Sequence, residues 1–192
     1  MKPIKYTLAT FLLFCVTISV VTGITFRPVP PANLSMQVVG NSPNSERSDI
    51  GIRLNFPDSH FHVVITNNSN RAVRLFEEWN SWGYYCLSFD LLDKNGKLIG
   101  SVEKGPAQWS RNGASYLNLR PRECHVIDVR WDTKWLMPIK PFPKSQGPTE
   151  YKLVARFSIA EDDATRRNNV WTGTIETKPQ DILLGYWPKT AR

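Results

Sequence analysis

The chain has 192 residues, a formal charge of +7 at pH 7, 41% hydrophobic residues and 21% charged residues. These values are typical of a globular protein and exclude both a disordered tail and a multi-pass membrane protein. The excess of Lys and Arg is spread along the chain without a run of five, so we predict no nucleic-acid-binding surface.

The N-terminal segment has the pattern of a secretory signal. Lys2 and Lys5 form a basic start, an uncharged apolar run covers residues 7–21, and small residues follow at 22–23. We predict that residues 1–23 are removed on export, which lowers the formal charge of +7 by two, to +5. The mature protein is then secreted or periplasmic. The alternative is an uncleaved chain anchored in the membrane by residues 6–22, because this run is nearly long enough to cross a bilayer.

The mature chain reads as an all-β domain between a leader and a tail. Residues 24–48 are rich in Pro, Asn and Ser and form a predicted leader with one edge strand at 34–39. Apolar residues then recur at every second position, most clearly at 61–65, 85–92, 125–131 and 151–159, with a hairpin turn predicted at Asn95-Gly96. Helical turns fit only around 74–82 and 160–165. We predict an antiparallel immunoglobulin-like β-sandwich of about eight or nine strands over residues 49–185, and a mobile tail at 186–192.

Several motifs resemble known modules. VVITNNS at 63–69, FDLLDKNGK at 89–97 and LRPRE at 119–123 are similar to segments of the bacterial intracellular proteinase inhibitor family and of immunoglobulin-like modules in exported bacterial proteins. The resemblance covers about residues 60–184 and implies the sandwich fold, a bacterial origin and a loop that blocks a proteinase. No inhibitory residue matches by motif. Arg122 stands where the inhibitor family usually has a glycine, the residue that most readily adopts a positive φ.

Two cysteines follow the signal segment. An even number of cysteines in an oxidising compartment predicts a disulfide between Cys86 and Cys124. Strand alternation places both thiols on the polar side, opposite in direction to Leu87 and Ile127. The bridge would therefore lie on an outer sheet face, and two free thiols are the alternative.

Candidate metal ligands are few. His60 and His62 share a face of a predicted strand, and Asp58 or His125 could supply a third ligand. Because no spacing links His125 to the pair, we predict neither a metal nor a cofactor. The motifs Gly-x-Ser-x-Gly and His-Glu-x-x-His are also missing from the sequence, so we predict no catalytic centre, with a hydrolase or a metal-dependent activity as the remaining alternatives.

Aromatic residues supply the candidate binding site. Large rings in polar loops can stack on a sugar or a peptide, although they can also cover the open end of a sandwich core. We predict a non-catalytic exported binding or scaffold module whose partner is a protein or glycan outside the cytoplasm. The proline-rich segment 135–148 would lie beside the site if the fold brings both to one end of the sandwich. The alternatives are a proteinase inhibitor and a carbohydrate-binding module. The candidate binding residues are Trp79, Trp82, Tyr84, Tyr85 and Trp109.

Overall fold

The computed structural model describes residues 32–40, 52–55, 59–110, 112–131, 134–137 and 147–185. The predicted signal segment, most of the predicted leader, the centre of the proline-rich segment and the predicted tail lie outside these ranges. Within the described residues, no helix is long and apolar enough to cross a membrane.

Twelve strands and two short helices make up the described part of the chain. The strands are β1 (Leu34–Gly40), β2 (Ile52–Asn55), β3 (Ser59–Asn67), β4 (Val73–Phe76), β5 (Leu87–Leu92), β6 (Leu98–Lys104), β7 (Tyr116–Leu119), β8 (Cys124–Trp131), β9 (Trp135–Leu136), β10 (Thr149–Ile159), β11 (Gly173–Glu176) and β12 (Gln180–Gly185). The helices are α1 (Ser81–Tyr84) and α2 (Asp163–Asn168).

The strands form two main layers. One sheet has the order β1-β3-β8, and the other has the order β2-β12-β10-β5-β6-β9 with β11 also paired to β10; β4 and β7 form a separate pair. Every pairing of the described strands is antiparallel except that of β2 with β12. The chain passes repeatedly from one layer to the other, as in immunoglobulin-like sandwiches. The predicted fold class is confirmed, with more strands in the described residues than the predicted eight or nine.

Two-residue alternation builds the core between the layers. The Phe61 ring of one sheet lies 5.4 Å from the Phe89 ring of the other, edge to face. Trp131 lies 5.1 Å from Phe61 and 5.5 Å from Phe89, so three rings join the two sheets. The inward-facing, buried residues of the three central strands are Phe61, Val63 and Ile65 of β3, Leu87, Phe89 and Leu91 of β5, and Ile127, Val129 and Trp131 of β8.

The edge strand predicted within the leader is present, and one further strand was not predicted. The strand predicted within the leader pairs with β3 along its whole length and buries Leu34 and Val38, so β1 is part of the sandwich. β9 was not predicted, because its two residues are too few to show a period. It forms where Trp135 pairs with Lys104 at the end of β6.

The two cysteines are free thiols, and the predicted disulfide is not formed. Cys86 lies between α1 and β5, where it is 6% exposed and its Sγ donates a hydrogen bond to the Trp82 carbonyl at 3.0 Å. Cys124 begins β8 in the other layer and is exposed, with its Sγ 3.3 Å from Thr66 Oγ1. The thiols therefore belong to different layers and contact different neighbours. The prediction that the Cys86 thiol lies on the polar side is wrong, because β5 begins only at Leu87 and strand alternation does not apply to Cys86.

Candidate binding cleft

The segment between β4 and β5 is held by one buried asparagine. Asn80 Oδ1 accepts hydrogen bonds from the backbone N–H groups of Trp82 at 3.0 Å and Gly83 at 3.1 Å, which caps the start of α1. Its Nδ2 donates to Ser115 Oγ at 3.0 Å. A Cβ added to Gly83 would meet the Glu77 carbonyl oxygen at 2.1 Å, so this close backbone approach requires glycine. The rings around α1 thus stand on a fixed backbone.

Four of the five predicted aromatic residues lie together, three of them in this segment and the fourth, Trp109, against it. Trp79, Tyr84 and Trp109 line one cleft of about 460 Å³. The Tyr84 ring meets the Trp109 ring edge to face at 5.4 Å and the Tyr85 ring at 4.8 Å. Tyr85 flanks the cleft, and its hydroxyl accepts a hydrogen bond from the Ala107 N–H at 3.2 Å. Trp79 is 58% exposed, so its ring is available to a ligand.

Trp82 has a different environment. Its ring stacks on buried Phe76 with 6.2 Å between the ring centres, and the side chain packs against the core. The alternative role considered for these rings, covering the end of the core, therefore describes Trp82. It does not describe Trp79.

Charged side chains complete the cleft. Lys104 Nζ lies 4.6 Å from the centre of the Tyr84 ring and 5.5 Å from that of Trp135, both within cation–π range. Burial lowers the pKa of the Lys104 ammonium. Glu78 lines the same cleft and its Oε1 lies 2.6 Å from His125 Nε2. The remaining charged residues of the cleft are Asp128, Arg130 and Lys134.

One carboxylate beside the cleft holds its most exposed ring. Trp79 Nε1 donates to Glu77 Oε2 at 2.9 Å. Hydrogen bonds from Ser115 and from Trp79 lower the pKa of the Glu77 carboxyl group. Because the ionised form accepts these bonds, Glu77 stays charged at neutral pH and orients the indole.

Sequence reasoning did not identify Lys104 or the other charged residues as part of the cleft, and it expected Trp135 there only as part of the proline-rich segment. Lys104 and Trp135 meet because β6 pairs with β9, and neither segment has a sequence pattern that predicts this pairing. Trp135 is the first residue of the proline-rich segment expected beside the aromatic loop, and it does lie there. A second groove, of about 640 Å³ between residues 34–38 and 175–180, has no aromatic lining and is the poorer candidate for a binding site.

The predicted histidine pair lies on the outer face of the β1-β3-β8 sheet. His60 and His62 are on β3, and Asp128 of the neighbouring strand β8 faces them. Asp58, one of the two predicted third ligands, is outside the described residues. His125, the other, pairs with Glu78 instead.

Comparisons with known proteins show likeness in fold only. No protein-family model matches the chain, and no curated protein matches it in sequence. The CARDB domain of a Pyrococcus furiosus protein, solved in complex with di-metal ions, is similar with 10% identity and a TM-score of 0.32 over 81% of this chain and 96% of that one. Spo0M, a sporulation control protein from Bacillus subtilis, is 12% identical with a TM-score of 0.37, over 83% of this chain and 51% of Spo0M. A β-glucosidase from Listeria innocua in complex with isofagomine is 12% identical with a TM-score of 0.34, over 81% of this chain and 16% of the enzyme. Likeness at this level carries no argument about function.

Proposed function

We propose that the chain is a non-catalytic binding module that works outside the cytoplasm and takes its ligand in the aromatic cleft. The observation that supports this most directly is the exposed Trp79 ring beside Tyr84 and Trp109 in one preformed concavity. Clefts of this size that combine aromatic walls with a few polar groups are the usual form of ligand sites. The location is inferred from the signal pattern of residues 1–23, and the lack of catalysis is inferred from the missing motifs.

The chemistry of the cleft favours a saccharide as its ligand. The apolar C–H face of a sugar ring stacks on an aromatic face, as other apolar groups do. Carboxylates such as Glu78 accept hydrogen bonds from hydroxyl groups, while Lys104 and Arg130 donate to them. Since charges of both signs line the cleft, a neutral polyhydroxy ligand fits without an unpaired charge of its own.

Two tryptophan variants test this proposal. The full chain is applied to an array of neutral and acidic oligosaccharides, and the affinity for the best-bound sugar is measured by calorimetry. We expect Trp79→Ala to weaken binding at least tenfold, equal to about 1.4 kcal/mol, with little change in Tm because the ring is largely exposed. Trp82→Ala is the matched control, which should lower Tm by several degrees but retain binding at temperatures where it is folded.

Other outcomes would redirect the proposal. Equal sugar affinity in Trp79→Ala and the wild type would show that the ligand binds elsewhere on the protein. If no sugar binds and a panel of proteinases is inhibited, the inhibitor hypothesis from sequence resemblance replaces the saccharide. Failure in both assays leaves a scaffold role.

A further inference from the structure

A second polar group lies on the outer face of β3 and β8. His60 and His62 are two positions apart on β3, so both imidazoles project from the same face. Asp128 stands directly opposite His62 in the antiparallel register of β8. The two imidazole rings meet edge to face, with 5.4 Å between their centres. Backbone pairing thus fixes three donor side chains in one place.

The three donor atoms lie close enough together to share one small cation. One ligand atom from each of His60, His62 and Asp128 lies within 4.8 Å of the other two. His62 Nδ1 is 3.4 Å from Asp128 Oδ1, and His60 Nε2 contacts the same oxygen. A tetrahedral zinc ion with bonds of about 2.0–2.1 Å spaces its ligand atoms about 3.4 Å apart. His62 and Asp128 already have this spacing, whereas His60 must rotate away from Asp128 Oδ1 to bind the same ion.

A buried nitrogen supplies a separate argument. His62 Nδ1 is shielded from solvent and makes no hydrogen bond to any described residue. A polar atom left in this state is costly, and native structures seldom retain one without a role. A cation bonded to both this nitrogen and Asp128 Oδ1 would satisfy it, because a neutral imidazole nitrogen is a common metal ligand.

We propose that His60, His62 and Asp128 bind a divalent first-row transition cation of the Zn²⁺ type. Two imidazoles and one carboxylate suit zinc and its neighbours, whereas Ca²⁺ and Mg²⁺ require oxygen ligands throughout. The three side chains are 33%, 31% and 54% exposed, so the ion enters from solvent and keeps at least one open coordination position.

Neighbouring charge sets the expected strength of this site. Arg130 Nε lies 3.9 Å from Asp128 Oδ2, the oxygen that does not face the histidines. This contact orients the carboxylate but also places a positive charge near the ion. We therefore expect a dissociation constant for Zn²⁺ in the micromolar range rather than that of a closed four-ligand site. The sequence identified the two histidines, and the register of β8 supplies the third ligand.

Calorimetric titration of Zn²⁺ into the chelator-treated full chain, prepared without a polyhistidine tag, tests the proposal. We expect one ion per chain, with affinity reduced at least tenfold in His60→Gln, His62→Gln and Asp128→Asn. His125→Gln is the matched control, because it removes the third histidine of the sequence without touching the cluster, and its affinity should equal that of the wild type. Unchanged Tm values in chelator would show that the variants fold.

A spectroscopic measurement covers variants that fold poorly. Co²⁺ in a four- or five-coordinate site gives visible absorption, which should appear with the wild type and be lost in His62→Gln. Wild-type binding weaker than about 100 μM, or an equal loss of affinity in His125→Gln, would overturn the proposal. Trp79→Ala should bind Zn²⁺ normally, and His60→Gln and His62→Gln should bind the saccharide normally, because neither histidine lines the cleft. Asp128 belongs to both sites, so the histidine variants, and not Asp128→Asn, show which of the two proposals fails.

Discussion

At the scale of single residues, burial determines how the two thiols react. Burial raises the pKa of the Cys86 thiol to about 12, whereas Cys124 is exposed at the start of β8. The thiolate is the reactive form, so at pH 8 iodoacetamide should alkylate Cys124 in the folded protein and Cys86 only after unfolding. We expect the two rates to differ at least 100-fold. Mass spectrometry of Cys86→Ser and Cys124→Ser, each with and without denaturant, measures both rates separately.

The same experiment also tests the redox state of the chain. If the protein isolated under oxidising conditions reacts with iodoacetamide at neither position until a reductant is added, the disulfide predicted from the sequence exists after all. Equal alkylation rates at the two positions in the folded protein would show instead that Cys86 is more accessible than its burial and its hydrogen bond to the Trp82 carbonyl indicate.

At the scale of secondary-structure elements, the corner between β7 and β8 holds a left-handed residue that is not glycine. Arg122 has a φ of 66° and is held there because its N–H donates to the Asn67 carbonyl at 2.8 Å. Asn67 is buried, and its Nδ2 donates to the Leu119 carbonyl at 2.9 Å, which fixes the other side of the corner. For a residue with a Cβ, this conformation lowers the free energy of unfolding by about 1–2 kcal/mol. Glycine avoids this strain, but it loses more conformational entropy on folding, which offsets part of the gain.

We therefore expect Arg122→Gly to raise the free energy of unfolding by about 0.5–1 kcal/mol. Arg122→Ala keeps the Cβ and the strain, so it should change stability little and serves as the control for loss of the exposed side chain. Urea unfolding of the three proteins measures the difference. A glycine variant no more stable than the alanine variant would mean that the corner carries no strain.

Elements whose signals are local were predictable from the sequence. The turn between β5 and β6 was read from Asn95-Gly96, and Gly96 does take a positive φ of 84°. Asn95 does not take a positive φ, because Asp93 Oδ1 accepts the N–H groups of Asn95 at 2.8 Å and Lys97 at 2.9 Å and shapes a longer turn. The alternation of β3, β5 and β8 was equally readable, because one face of each strand must be apolar to enter the core.

Features that depend on pairing between distant segments could not be read in this way. His60 and Asp128 meet although they are 68 positions apart, because the register of β3 on β8 brings them together. A shift of that register by one residue would turn Asp128 toward the core. Lys104 and Trp135 in the cleft depend in the same manner on the pairing of β6 with β9. The sequence thus predicted the aromatic residues of the cleft and two of the three proposed metal ligands. The charged residues of the cleft and the third proposed ligand depend on long-range strand pairing.

At the scale of the whole molecule, one ring cluster joins the two layers and also supports the cleft. Phe89 is fully buried and lies 5.4 Å from Phe61, 5.5 Å from Trp131 and 5.4 Å from Trp135. Trp135 is at once a neighbour of this cluster and a wall of the cleft, where Lys104 lies over its ring. Damage to the core at Phe89 should therefore reach the ligand site through Trp135.

Phe89→Ala tests this connection. Replacing a buried phenylalanine with alanine lowers the free energy of unfolding by about 3–5 kcal/mol. We expect a value at the upper end of this range here, because ring partners from both sheets would face the cavity. Phe89→Leu fills most of that volume and should cost clearly less. Urea unfolding measures the two losses, and quenching of the total tryptophan fluorescence by a soluble quencher should increase only in the alanine variant, against a Trp79→Ala background that removes the most exposed indole of the described residues. If Phe89→Ala lowers the free energy of unfolding by less than about 1 kcal/mol, the ring cluster is not the contact that holds the two layers together. A cavity between the two sheets at this position should destabilise the fold by more than that.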